Sequence, residues 1–392
     1  MRWRMLALLF FARIALGFQF QTAASVGGDL VTAFGIDYSD VGFLIGLFMV
    51  PGLFLALPAG ALGQFLPDRI LAFAGLSALA LGGLLSGFGP GPVTIGFGRL
   101  VAGAGFLFST LYFTKMVADW FEGREISTAM SILVMSWPFG IAMGQVGHAY
   151  LADLQDWRLP FVVASLYCAA AAAGVLLFYR APVDRAAASA AGSNRLSWRE
   201  WQLILLAGIA WGVFNAGYVV YLSFAPLKLE ELGHGSLQAA ALVSVASWIM
   251  IFSGAACGQI VDRFNHRNLV LIVCMTSAIV SFWLMGRPGT GLAASLLFGL
   301  VAMAPAGVIM ALAGEAVAPA RRALGMGIFF TVYYAIMAAG PPLAGWIYER
   351  AATAGASLGL GMGLFALVIP VALMFRLVQT GVRTGESKEG KG

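Results

Sequence analysis

The chain has 392 residues, of which 60% are apolar and 10% are charged, with a mean hydropathy of +0.88 and a net charge of +5. So little polar surface excludes an ordinary soluble globule. The positive charges are spread over short segments between apolar runs, without a single basic face, and this excludes a nucleic-acid-binding protein. The composition predicts a polytopic protein whose main partner is the lipid bilayer.

Charged and Gly/Pro-rich clusters divide the chain into apolar runs, each of which reaches the roughly 20 residues needed to cross a bilayer. The first run continues past Arg13, so it predicts a membrane helix and not a cleaved secretory signal. The twelve predicted spans are 5–34, 38–62, 69–89, 92–121, 126–151, 159–180, 200–226, 236–261, 268–287, 291–316, 323–348 and 356–379.

The distribution of Lys and Arg predicts the orientation. Of the 23 Lys and Arg residues, 16 fall on the side that holds the N-terminus, 4 fall on the opposite side and 3 lie within spans. Positive residues are retained on the cytoplasmic side of a membrane. We therefore expect a multi-pass protein of the bacterial inner membrane with both termini in the cytoplasm.

An internal repeat relates the two halves of the sequence. An offset of 198 residues places Gly60 on Gly258 and Arg69 on Arg267. An offset near half the chain length indicates two similar halves. The predicted organisation is an N-terminal bundle, a cytoplasmic linker, a C-terminal bundle and a cytoplasmic tail, over residues 1–180, 181–199, 200–380 and 381–392.

The second copy of the repeated loop reads Gly258-x3-Asp262-Arg263-x-Asn265-x-Arg267. It resembles the loop signature of the major facilitator superfamily of secondary transporters. The resemblance implies an all-α membrane protein with twelve transmembrane helices in two pseudo-symmetric six-helix bundles. It also implies a cytoplasmic gate, in which the acidic residue caps a neighbouring helix end and pairs with Arg from the other half.

The first copy has Gln64 where the second has the acidic residue, so an asymmetric gate is predicted. The alternative is a positively charged loop that only fixes topology. The predicted gate residues are Gly258, Asp262, Arg263, Arg267, Gln64 and Arg69.

Two further resemblances support the family. In the fourth span, Arg99-x3-Gly103-x-Gly105 resembles the superfamily's fourth-helix motif, whose glycines let helices approach closely. Met49-Val-Pro51-Gly and neighbouring segments weakly resemble the cyanate and nitroimidazole permease-like branch.

The candidate substrate site rests on charges inside the spans, because a charge at mid-membrane is costly and is usually kept for function. Arg13 and Lys115 are predicted to share a layer of helices one and four, which would form a well for an anion. Both side chains could instead extend to the cytoplasmic headgroups. Additional hydrogen bonds are expected from Gln21, Tyr112, Asn215 and Tyr218.

The candidate coupling pair is Asp29 and Arg99, which the antiparallel first and fourth helices place in one outer layer. An Asp beside an Arg could exchange its proton for the pairing. This geometry requires a bend in the first span, which Gly27 and Gly28 would supply. The alternative is an Asp29 that is solvated or caps the outer end of the span.

Other chemistry lacks support. Cys168, Cys257 and Cys274 have no metal-ligand spacing, the three histidines are scattered, and no nucleophile motif is present, so no enzyme, metal or cofactor is predicted. We expect a secondary active transporter, functional as a monomer, that moves a small anionic solute by alternating access. The alternative is a proton-coupled exporter of drugs or metabolites.

Overall fold

The computed structural model describes residues 1–63, 65–121, 126–182, 196–264, 266–317 and 322–380. Within these ranges the chain forms helices joined by short connections and contains no strand. The helices in chain order are α1 (Arg2–Ser25), α2 (Gly27–Phe34), α3 (Tyr38–Leu47), α4 (Val50–Leu62), α5 (Asp68–Gly87), α6 (Pro92–Phe121), α7 (Ile126–Leu154), α8 (Arg158–Phe178), α9 (Trp198–Glu231), α10 (Ser236–Phe264), α11 (Arg267–Met285), α12 (Gly291–Leu297), α13 (Ala306–Ala316), α14 (Arg322–Ala351) and α15 (Ala354–Thr380). A π-helical turn, Phe298–Ala302, follows α12.

The predicted all-α fold is confirmed. Eleven helical segments in the described ranges are long and apolar enough to cross a membrane. The fifth predicted span coincides with α7, a helix of 29 residues that begins beside undescribed residues. The first, second and tenth spans are each built from two helices with a break between them.

Local sequence accounts for these helix ends. Asp37 begins α3 and Ser197 begins α9, each in a capping box with an acidic residue three positions later. Gly35 ends α2 with φ +62°, a left-handed conformation that favours glycine. The break between α1 and α2 falls at Val26, beside Gly27, where a bend was expected.

The two halves of the sequence meet mainly where α3 and α4 pack on α14 and where α7 packs on α10. Gly42 and Gly46 allow the close approach of α3, because a Cβ on Gly42 would lie 2.2 Å from the carbonyl oxygen of Pro341 and one on Gly46 would lie 2.4 Å from that of Ala338. The α3–α14 seam is therefore a backbone-to-backbone contact that a side chain would separate.

We call the end of the bundle near Met1 and Thr380 the proximal end and the opposite end the distal end. At the proximal end, the ring of Trp3 packs on that of Phe121, with 5.1 Å between centroids. The predicted division into two bundles and a linker stays a prediction. Linker residues 183–195 and tail residues 381–392 lie outside the described residues.

Candidate functional site

A cavity of about 290 Å³ lies between the two halves towards the distal end. Helices α1, α2, α3 and α7 line one side, and α9 and α10 line the other. We call it the distal cavity. Its size is close to the lower limit for small-molecule pockets, roughly 300 Å³.

Three buried polar groups line the distal cavity. They are Gln21 on α1, Gln145 on α7 and Ser223 on α9, with exposed fractions of 1%, 2% and 8%. Gln21 Oε1, Gln145 Nε2 and Ser223 Oγ have no hydrogen-bond partner among the described residues. A buried polar group without a partner is costly, so these atoms can bind a polar ligand.

The charged side chains that line the distal cavity are both acidic. Asp29 on α2 and Glu230 on α9 belong to opposite halves, and they are close enough to interact electrostatically. Asp29 is exposed and Glu230 is half-buried. The cavity wall therefore attracts protons or cations and repels a free anion.

Arg13 lies deeper on α1, eight residues or about 12 Å from Gln21. Its Nη1 donates to the carbonyl oxygen of Leu133 at 2.7 Å and to Ser136 Oγ at 3.2 Å. Its Nε has no partner among the described residues. Tyr333 and the adjacent tyrosine, on α14 of the other half, lie close to it. Arg13 is thus a 9% exposed cation at the interface between halves without an acidic partner in the described part of the chain.

The expected two-cation well is wrong, because Lys115 lies elsewhere. Lys115 Nζ donates to Asp68 Oδ1 at 2.8 Å, at the proximal start of α5, and its side chain is 44% exposed. Tyr112 OH is also turned to the proximal side, where it donates to the carbonyl oxygen of Ala59 at 2.5 Å. Asp68 neutralises Lys115, so this cation is not free to bind a substrate anion.

The expected pairing of Arg99 with Asp29 is also wrong. Arg99 is fully buried and donates to the carbonyl oxygens of Leu44, Gln19 and Phe20 at 3.2 to 3.3 Å and to Thr22 Oγ1 at 3.4 Å. Carbonyl dipoles thus replace a carboxylate in solvating this guanidinium, and Arg99 ties α6 to α1 and α3. Asp29 lines the distal cavity, whereas Arg99 does not.

The two expected polar residues of the seventh span have different surroundings. Asn215 Nδ2 donates to the carbonyl oxygen of Trp211 at 2.7 Å, within its own helix, and does not line the distal cavity. Tyr218 OH lies 3.0 Å from Ser247 Oγ, which in turn donates to Gln145 Oε1 at 2.9 Å. Tyr218 therefore does not line the cavity, and it is linked to the wall residue Gln145 only through Ser247.

The expected gate is only partly visible. Gln64 lies outside the described residues, as does the side chain of Asp262, and a Cβ on Gly258 would meet no described atom within 4 Å. Arg69 and Arg263 are exposed. Arg267 Nη1 binds Glu315 Oε1 at 2.6 Å, so its carboxylate partner lies in its own half.

Glu315 also pairs with Arg376 and accepts from Gln379 Nε2 at 3.3 Å. We call Asp68–Lys115 the N-terminal clamp and Glu315–Arg267–Arg376 the C-terminal clamp. The N-terminal clamp ties the proximal part of α6 to the start of α5. The C-terminal clamp ties the proximal end of α13 to the start of α11.

Sequence reasoning missed Gln145, Ser223 and Ser247 because it searched the spans mainly for charges, and it missed Glu230 because the seventh span was predicted to end at residue 226, whereas the helix continues to Glu231. An available signal was the presence of uncharged amides inside apolar spans, which must find hydrogen-bond partners there. Gln145 carries this signal inside the fifth predicted span.

A multi-pass all-α bundle with a polar cavity between two halves defines the class as a membrane transporter. The chain belongs to the Major Facilitator Superfamily, whose family model matches residues 9–309. It is 23% identical over 304 residues to the hexuronate transporter of Bacillus subtilis (strain 168), covering 71% of this chain and 68% of that protein.

Two solved structures share the fold. A bacterial homologue of the human lysosomal transporter Spinster, inward-facing and unoccupied, superposes with a TM-score of 0.76 at 14% identity, covering 97% of this chain and 98% of that one. The nucleoside transporter NupG superposes with a TM-score of 0.73 at 13% identity, over 95% of this chain and 98% of that one.

Proposed function

We propose that this protein is a secondary active transporter for a small organic anion that carries hydroxyl groups. The observation that carries the proposal is Arg13, a buried guanidinium between the two halves with no acidic partner in the described residues. A charged side chain inside the membrane is costly, so it is usually paired with a counter-charge or kept for a function. A transported carboxylate would supply the counter-charge in a bidentate pair with the guanidinium.

The similarity to a hexuronate transporter supports the same substrate class. A hexuronate combines one carboxylate with several hydroxyl groups. Arg13 suits the carboxylate, and the amide and hydroxyl groups of the distal cavity suit the hydroxyls. The roughly 12 Å of helix between Arg13 and Gln21 means that one small solute contacts both groups only if it moves between them or if the halves rearrange.

Protons are the proposed coupling ion. Asp29 and Glu230 lie on opposite sides of the distal cavity, so closing it brings two like charges together. Protonation of one of them relieves this repulsion. The proposal keeps Asp29 as a coupling residue but replaces Arg99 by Glu230 as its partner.

The remaining features follow from the same proposal. The protein is a multi-pass protein of the bacterial inner membrane, with cytoplasmic termini at the proximal end, and it works as a monomer without catalysis or a cofactor. The gradient of the solute or of protons drives transport by alternating access.

A second candidate is proton-coupled export of cationic drugs or metabolites. The acidic lining of the distal cavity favours it, since Asp29 and Glu230 would attract a cation. Under this alternative, Arg13 would not contact the substrate.

Uptake by proteoliposomes separates the two candidates. Arg13→Gln should weaken the binding and uptake of a sugar acid by about 10- to 150-fold, because it removes charge-assisted hydrogen bonds worth roughly 1.5–3 kcal/mol. Arg13→Lys should have an affinity between those of wild type and Arg13→Gln, since it keeps the charge and loses the planar fork of the guanidinium. Arg287→Gln is the matched control, because Arg287 stacks on the ring of Trp283 away from the cavity.

The same vesicles should be tested with a cationic drug and with an imposed pH gradient. Unchanged sugar-acid transport by Arg13→Gln would refute the anion proposal. Transport of the cation alone, lost in Glu230→Gln, would establish the exporter.

A further inference from the structure

A hydrogen-bonded chain crosses from the C-terminal half to the N-terminal half behind the distal cavity. Tyr218 OH on α9 lies 3.0 Å from Ser247 Oγ on α10, and Ser247 Oγ donates to Gln145 Oε1 on α7 at 2.9 Å. All three side chains are buried, with exposed fractions of 3% or less. The chain therefore has no access to solvent that could replace one of its bonds.

The direction of this chain fixes the amide of Gln145. A serine hydroxyl has a single proton, and Ser247 gives it to Gln145 Oε1, so the phenol of Tyr218 must donate to Ser247. The oxygen of the Gln145 amide is thereby turned towards Ser247. The Nε2 group carries two N–H donors, has no partner among the described residues and belongs to a side chain that lines the cavity, although the atom itself is buried.

Gln21 presents the opposite polarity. Its Nε2 donates to Ser25 Oγ at 3.2 Å, which leaves Oε1 as an acceptor without a partner in the described part of the chain. Ser223 Oγ, which can donate and accept, completes the set. The cavity wall thus contains an unpartnered amide NH2 group, an unpartnered amide oxygen and an unpartnered hydroxyl among the described residues, besides the second N–H of Gln21 Nε2.

We propose that Gln21, Gln145 and Ser223 form a subsite for the hydroxyl groups of a polyhydroxylated solute, and that Ser247 and Tyr218 are positioning residues that hold the donor face of Gln145 towards it. A hydroxyl both donates and accepts, so adjacent hydroxyls satisfy this mixed set. A carboxylate only accepts, and it would meet Gln21 Oε1 and the two acidic residues of the wall.

The subsite deepens the proposed function and rests on it for the anionic end of the solute, but its hydroxyl recognition is independent of Arg13. A solute without hydroxyls would leave three buried polar groups unpaired. Sites built to bind hydroxyls reject such analogues strongly, because the unpaired groups lose their water without compensation.

The test compares three compounds on purified protein: a six-carbon sugar acid, the unsubstituted six-carbon aliphatic acid, and a neutral hexose. Gln145→Met keeps the shape of the side chain and removes the amide. It should weaken binding of the sugar acid and the hexose by about tenfold and change binding of the aliphatic acid by less than about twofold.

Ser247→Ala tests the positioning role without altering the cavity wall. The freed amide can rotate, so the preference for the sugar acid over the aliphatic acid should fall by about threefold. Ser244→Ala is the matched control, since Ser244 is buried on the same helix and its hydroxyl donates to the carbonyl oxygen of Ala241 at 2.8 Å. Thermal unfolding in detergent should show that both serine variants fold, with the lower melting temperature in Ser247→Ala, because this change leaves Tyr218 OH and Gln145 Oε1 without their shared partner.

The outcomes separate this proposal from the proposed function. If Arg13→Gln leaves anion binding intact while Gln145→Met still weakens the hexose selectively, the anion proposal fails and the subsite stands. The subsite is overturned if wild type binds the sugar acid no better than the aliphatic acid, if it binds none of the three compounds, or if Gln145→Met weakens all of them by the same factor.

Discussion

Replacement of Gly42 by alanine should open the distal end. A Cβ at this position would lie 2.2 Å from the carbonyl oxygen and 2.7 Å from the carbonyl carbon of Pro341. Both atoms are backbone, so no side chain can rotate away. Helices α3 and α14 would have to separate by about 1 Å to restore ordinary contact.

The penalty applies only to the state in which this seam is closed. Overpacking of this kind costs about 1–3 kcal/mol. A state with the seam open lacks the penalty, so the ratio of closed to open molecules should fall by about 5- to 150-fold. The result is a change in accessibility of the distal cavity.

The assay is the labelling rate of a cysteine placed at Ala240, a buried residue of the cavity wall, with a membrane-impermeant maleimide. The three native cysteines are buried and provide a low background. Gly42→Ala should label several-fold faster than wild type. Gly359→Ala, which introduces a methyl group into open space on α15, is the control. Equal labelling rates in the two variants would refute the view that the seam is closed by backbone contact.

Two further predictions concern buried ions, and both are checked by thermal unfolding in detergent. Arg99→Lys should lower the free energy of unfolding by about 3 kcal/mol, because an ammonium cannot reproduce the fork that reaches three carbonyl oxygens and a hydroxyl; an unchanged melting temperature would contradict this role. Asp68→Asn should lower the free energy of unfolding by about 1 kcal/mol, because it removes the ion pair with the half-exposed Lys115. Adding Lys115→Met to this variant should lower it little further. Additive costs would show that the two side chains do not act as a pair.

The membrane spans could be predicted from the sequence because they depend on local quantities. Apolar run length, capping residues such as Asp37, and the break at Val26 beside Gly27 are all properties of adjacent residues. The rotation of each helix about its axis is not a local quantity. It decides that Gln145 faces Ser247 across the halves.

The partners of the cations inside the predicted spans were wrongly assigned for a related reason. Arg99 binds main-chain carbonyl oxygens, which every residue carries and which leave no mark in the sequence. A search limited to charged side chains therefore assigned Arg99 to Asp29. Lys115 was assigned to an anion site, although Asp68 lies next to Arg69 in the repeated loop that was already identified.

The polarity of the two clamps has a consequence for how each half responds to salt. A helix carries partial positive charge at its N-terminus and partial negative charge at its C-terminus. Asp68 lies in the first turn of α5, where the helix macrodipole stabilises it. Arg267 is the first residue of α11 and Glu315 is near the C-terminus of α13, so the macrodipole opposes both charges of the C-terminal pair.

Each such placement is worth about 0.3–1 kcal/mol. The macrodipole therefore weakens the Arg267–Glu315 ion pair, and a second ion pair, between Arg376 and Glu315, offsets this loss. Added salt screens both clamps, because Lys115 and Arg267 are 44% and 40% exposed, but only the C-terminal clamp must also overcome an unfavourable macrodipole, whereas the buried Asp68 keeps its favourable position at a helix N-terminus. The proximal end of the C-terminal half is accordingly the one that loosens first as ionic strength rises.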